Sequence, residues 1–210
     1  AEAQTLHCDA VVLAPKATAA ARLVADLHPQ FAQTLAEIPH ASCCIVSLGY
    51  RRDQISHAMD GFGFVVPHAE NRKILSGSFS SVKYAGRAPE GQTLVRAFIG
   101  GEMQPELAVL PDDELVAIAR DELGQLLGIS GEPTLVLVSR YEHAMPQYYV
   151  GHGERVQQIE AGLQDLPGLF FTGNAFGGVG IPLCIHKSEM VAEKAIAQLR
   201  GDNDVSASSR

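Results

Sequence analysis

The sequence predicts a mixed α/β to α+β chain: a largely antiparallel central sheet with flanking helices, bracketed by two βα units. Two observations carry this. Near each end a short continuous apolar run gives way to a helix-forming stretch. Between them lie apolar segments, one on the strand period, which suit strands with one face on a core.

The first unit opens at residues 9–15. Val11, Val12 and Leu13 form a short run stopped by Pro15, the pattern of a buried strand, often a parallel one. Residues 18–27 are alanine-rich and favour a helix. Residues 41–50 read as a strand. Residues 61–67 and 73–79 read as two more, joined by the polar loop 68–72, and residues 93–100 alternate on the strand period. Pro111, Asp112, Asp113 and Glu114 open a helix that puts Leu115, Ile118, Ala119, Leu123 and Leu126 on one face. Its acidic first turn complements the helix dipole, and Gly128 stops it. Residues 133–139 are a further strand. Residues 167–174 form the second short apolar strand, and after Pro182 a helix runs over 183–199, with Ile185, Met190, Val191, Ala195, Ile196 and Leu199 as its apolar residues. The polar stretch 201–210 is expected to be a disordered tail.

Composition narrows the function. The 210 residues are 46% hydrophobic and 19% charged, which suits a chain that buries a core. The net charge of −8, without a basic cluster, disfavours nucleic acid and anionic membrane surfaces, since both are bound through Lys and Arg. No apolar stretch reaches the length of a spanning helix, and residues 1–4 do not read as a signal peptide. Cys8, Cys43, Cys44 and Cys184 form no metal-ligand spacing, so no metal is expected. Cys43 and Cys44, in an apolar run, are expected to be reduced, buried thiols, and a cytoplasmic location is expected.

The strongest chemical signal is Gly173, Gly177, Gly178 and Gly180, between a strand and a helix. Glycines let a backbone approach a ligand, and the helix N-terminus offers free N–H groups. A phosphate or the electron-rich edge of a flavin would suit this device; so would a tight turn with no ligand. The usual dinucleotide fingerprint is not met, because Leu183 stands where its third glycine belongs. Residues 140–152 are dense in aromatic, Pro and His residues, which suits either a bend over something flat or an ordinary ordered loop.

These clusters resemble the carboxy-terminal part of the oxygen-dependent protoporphyrinogen oxidases, in the flavin-containing amine oxidase superfamily. The matching motifs are Ala144-Met145-Pro146-Gln147-Tyr148, Gly151-His152, the run from Leu166 to Pro182, and Cys184-Ile185. Gly61-Phe62-Gly63-Phe64, Val66-Pro67, Phe79-Ser80-Ser81, Gly86-Arg87-Ala88-Pro89, Phe98-Ile99-Gly100-Gly101, Leu126-Leu127-Gly128-Ile129 and Gly131-Glu132-Pro133 add to it. The resemblance runs over residues 9–199.

The resemblance implies an FAD cofactor and a split organisation: residues 1–35 and 161–200 in an FAD-binding domain, residues 36–160 in a substrate-binding domain. Gly173 and Asn174 would approach the pyrophosphate and ribitol. Val179, Gly180 and Ile181 would meet the isoalloxazine edge, with the helix dipole favouring negative charge on reduced flavin. Phe98 would stack on a porphyrinogen, and Val66 and Ser78 would line its pocket. The implied reaction is oxidation of protoporphyrinogen IX by O2 in haem biosynthesis. Coproporphyrinogen III, or an amine or carotenoid, would use the same scaffold. No catalytic residue is assigned; His143 and His152 qualify by residue type alone.

Three departures stand out. Tyr141 replaces a Trp common in the family, and Leu183 replaces an Asp. The segment with the ADP-binding fingerprint, the membrane-docking segment and the substrate-pairing Arg has no counterpart among these residues. The chain is therefore expected to bind FAD weakly alone and to need an amino-terminal half or a homodimer. In the full-length protein a peripheral membrane contact is expected.

Overall fold

The computed structural model describes residues 4–201, so the tail expected over 201–210 lies, beyond Gly201, outside the described residues. Along the chain run β1 (Val11–Leu13), α1 (Ala17–Val24), α2 (Pro29–Ala36), β2 (His40–Arg51), β3 (Gly63–Val65) and β4 (Ser76–Phe79). Then come α3 (Ser80–Lys83), β5 (Gln92–Gly100), α4 (Asp112–Leu127), β6 (Leu135–Pro146), α5 (His152–Gly162), β7 (Leu169–Phe171) and α6 (Ile181–Arg200). Two compact units result: His40–Met145, and the residues up to Pro39 together with those from Pro146 onward.

The unit His40–Met145 is built on a five-stranded sheet in the order β3-β4-β5-β2-β6. The β3/β4, β4/β5 and β2/β5 pairs are antiparallel. Thr134 N–H donates to Gly49 O and His143 N–H to Ser42 Oγ, so β6 also runs against β2. One face carries the core. Cys44, Val46, Leu48 and Tyr50 of β2 alternate with Val95, Ala97 and Ile99 of β5, and Leu115, Ala119, Leu123 and Leu127 of α4 pack with them. Each large aliphatic side chain buried here contributes roughly 1.5–3 kcal/mol. As the sequence predicts, α4 has an acidic first turn and ends at Gly128, left-handed at φ 60°. Within this core Glu122 takes Arg72 Nη1 and the Lys73 N–H, each at 2.9 Å.

The other unit holds both βα pieces. β1 and β7 pair in parallel, Val12 opposite Phe170. Ala17, Ala20 and Val24 of α1, Phe31 and Leu35 of α2, Ile159 of α5 and Phe171 of β7 share one core. Phe171 meets Phe31 and Phe176 edge-on, at 5.5 and 5.8 Å between centroids.

Four expectations change. β1 is parallel, yet Val11 and Val12 are exposed; a strand buried on both faces needs a layer on each, and the core covers one. α2 and α5 are helices the apolar pattern does not announce. Residues 140–146 are strand rather than bend or loop, because β6 extends along β2 as far as Pro146. Finally, α6 buries Ala195, while Ile181, Leu183, Ile185, Ile196 and Leu199 are exposed.

Candidate functional site

Nine residues lead from the end of β7 to the glycine turn's last member, Gly180. Thr172 N–H donates to Leu13 O, which extends the β1/β7 pairing into the turn. Gly173 and Gly178 hold φ of +134° and +126°, a region L side chains rarely adopt. A Cβ on Gly177 would meet Lys187 Cε at 2.7 Å. Ser188 Oγ donates to Cys184 O at 2.8 Å, and Thr172 and Ser188 hydroxyls lie 2.8 Å apart, tying strand end to helix. The Tyr148 hydroxyl donates to Asn174 O and accepts from Gly178 N–H at 2.9 Å. Sequence reasoning assigns Tyr148 no such role; its motif position was the available signal.

The turn delivers the chain to the start of α6. Pro182 occupies the first turn, where a missing N–H costs nothing. The helix's first bond, Cys184 N–H to Gly180 O, leaves Ile181 and Leu183 N–H without an intrahelical acceptor. At Gly180, φ +114°, nothing lies within 4 Å of where a Cβ would stand. A planar ring can approach the backbone there, with the positive helix end beside it. An open groove of about 660 Å³ begins at this point, lined by Asn174, Gly180, Ile181, Cys184, Ile185 and Ser188 among others. Its mostly apolar wall and its free amides fit the edge of a flavin. Asn174, Gly180 and Ile181 come together here; Val179 is exposed beside them, and Gly173 stands at the root of the turn, toward Pro15 O.

The residues expected at a substrate divide. Phe98 and Ser78 lie on the sheet face opposite the core. Phe98 pairs with Ile45 on one side and Ser76 on the other; Arg96 pairs with Ser47 and Ser78. Val66 packs against the core cluster instead. Val65, opposite Ser76 in the register, takes the place beside Phe98's row and is exposed. A shift of one residue along a strand exchanges its faces, so Val65 rather than Val66 shares a face with Phe98 and Ser78.

His152 is buried, and its ring stacks on Tyr148 at 4.0 Å. Burial pushes its imidazole below the usual range, against a raising contact with the Ala175 backbone. Burial likewise raises the Cys43 and Cys44 thiols. His143 lies on β6 with a left-handed backbone, φ 43°. Among the described residues, no group of three His, Cys, Asp or Glu side chains is placed to hold a metal, and no helix is long and apolar enough to cross a membrane.

A glycine turn feeding a helix N-terminus, with a separate antiparallel sheet unit, is an arrangement that fits a flavin. The profile of the family described as flavin containing amine oxidoreductase matches residues 1–196, and the chain belongs to that family. It is 38% identical to the coproporphyrinogen III oxidase of Propionibacterium freudenreichii subsp. freudenreichii, over 93% of this chain and 38% of that protein. It is 31% identical to the mitochondrial protoporphyrinogen oxidase of Nicotiana tabacum, over 82% of this chain and 35% of that protein. A crystal structure provisionally described as a protoporphyrinogen oxidase, from Exiguobacterium sp. 255-15, superposes with a TM-score of 0.75 at 27% identity, covering 91% of this chain and 41% of that one. The chain thus spans about two-fifths of the length of the curated relatives it matches.

Proposed function

We propose that the chain is the carboxy-terminal part of an FAD-dependent oxidase that converts a porphyrinogen to a porphyrin with O2, in haem biosynthesis. The observation that carries the reading is Gly180, open on its Cβ side and placed at the free N–H groups of α6. When bound, FAD would supply the redox chemistry, taking hydride equivalents from the substrate and passing electrons to O2. The chain's own residues bind and orient. Gly173 and Asn174 serve the pyrophosphate and ribitol; Val179, Gly180 and Ile181 serve the ring edge. The dipole of α6 favours negative charge there, and Ile185 and Ala192 keep that wall of the groove apolar.

In this reading residues 1–35 and 161–200 belong to the FAD-binding domain and residues 36–160 to the substrate-binding domain, with α5 sharing the core of the former. Phe98 offers a face for the macrocycle, with Ser78 in its pocket. The 38% identity to the coproporphyrinogen III oxidase of Propionibacterium freudenreichii supports a tetracarboxylate porphyrinogen as the first reading. Protoporphyrinogen IX, a dicarboxylate, is the second reading. An amino-terminal half would complete the nucleotide site and cover the exposed residues of α6. The parent protein would work in the cytoplasm.

The test is porphyrin fluorescence from the FAD-loaded full-length protein, supplied in air with each porphyrinogen. Faster oxidation of the tetracarboxylate than of the dicarboxylate is expected. Rates equal to the enzyme-free control for both would overturn the reading.

A further inference from the structure

We infer that Arg96 binds a carboxylate of the substrate. The inference rests on the porphyrinogen reading above and deepens it. Arg96 lies on the sheet face opposite the core, two residues before Phe98 on β5. Its guanidinium carbon sits 5.7 Å from the Phe98 ring centroid. Ser78 of β4 and Ser47 of β2 flank it in register, so a cation stands in a row of hydroxyl-bearing residues beside the aromatic ring.

The cation is unanswered. Its Nε is buried without a hydrogen-bond partner, and no carboxylate pairs with Arg96 among the described residues. Four other arginines of this unit, Arg51, Arg72, Arg120 and Arg140, each hold a carboxylate, and Arg52 donates to the Ile55, His57 and Ala58 carbonyls. A partly buried guanidinium left unpaired costs stability. A planar fork of donors beside an aromatic face suits a flat acid-bearing ligand: the ring stacks on Phe98 and an acid reaches the fork. Uncharged substrates such as carotenoids would leave the cation unpaired.

The experiment uses the full-length, FAD-loaded protein with a tetracarboxylate porphyrinogen, and measures binding of the tetracarboxylate porphyrin and its tetramethyl ester by fluorescence quenching. Arg96→Met should raise KM and the acid's Kd by about 10- to 100-fold, as expected for a lost charge-assisted hydrogen bond, with kcat nearly unchanged. Arg96→Lys should fall between. Ester binding should not move in either variant. In the wild type, salt should weaken binding of the acid and spare the ester, a readout that needs no variant to fold. Unchanged acid binding, or equal loss for acid and ester, would overturn the assignment while leaving the porphyrinogen reading intact. A wild type that oxidises no porphyrinogen would overturn both.

Discussion

The Tyr148 hydroxyl accepts a hydrogen bond from Gly178 N–H at 2.9 Å while donating to the Asn174 carbonyl. One phenol therefore closes the glycine turn from both limbs. Its ring is held in turn by the stack on His152. Tyr148→Phe keeps the stack and loses both bonds. Each is solvent-accessible and worth about 0.5–1.5 kcal/mol. FAD affinity of the full-length protein should fall by roughly 3- to 30-fold, read by flavin fluorescence.

Gly178 tests the turn from its backbone. At φ +126° any L side chain is strained, and a Cβ would come 2.8 Å from Leu183 Cδ1. The leucine tip can swing aside; the backbone cannot. Gly178→Ala should lower the unfolding free energy by about 1–3 kcal/mol, measured by denaturant titration, and weaken flavin binding with it.

Much of the fold is legible in the residues, and the failures have physical causes. α4 announces itself through an acidic first turn, a periodic apolar face and Gly128. α5 does not, because Ile159 is the one apolar residue it buries and Gly153 stands in its first turn. α2 is set by Pro29 at its start and by His28 Nδ1, which accepts from Phe31 N–H at 3.2 Å; neither is a pattern of hydrophobicity. The glycine turn is legible as chemistry, since positive φ needs glycine. The sheet face is less so. Val65 and Val66 look alike in sequence, and pairing of Val65 with Ser76 decides which faces outward.

Glu122 is nearly buried in α4 and takes both Arg72 and the Lys73 N–H. Removing it takes the acceptor from the Lys73 amide and the carboxylate from Arg72, whose Nη1 keeps Gln125 Oε1 at 3.3 Å. Glu122→Ala should lower the unfolding free energy of the full-length protein by about 3 kcal/mol, measured by denaturant titration. Glu122→Gln, which keeps the acceptor, should cost less.

His152 sets a pH dependence. Its pKa is lowered in the folded state from the usual 6.5, chiefly by burial. The unfolded chain therefore binds more protons below pH 6.5. Stability is fully present above that pH and is lost as pH falls through the folded value. His152→Phe should keep the stack on Tyr148 and flatten this part of the stability–pH curve. A curve of unchanged slope would remove His152 from the account.

The most direct measurement is the visible spectrum of the 210-residue chain, alone and co-expressed with the amino-terminal remainder of its parent, after incubation with FAD and desalting. The account holds that Gly173, Asn174, Val179, Gly180 and Ile181 form part of an FAD site and not the whole of it. It predicts a colourless chain alone and stoichiometric flavin bands in the complemented protein. Flavin retained by the chain alone, or a complemented protein without it, would contradict the account.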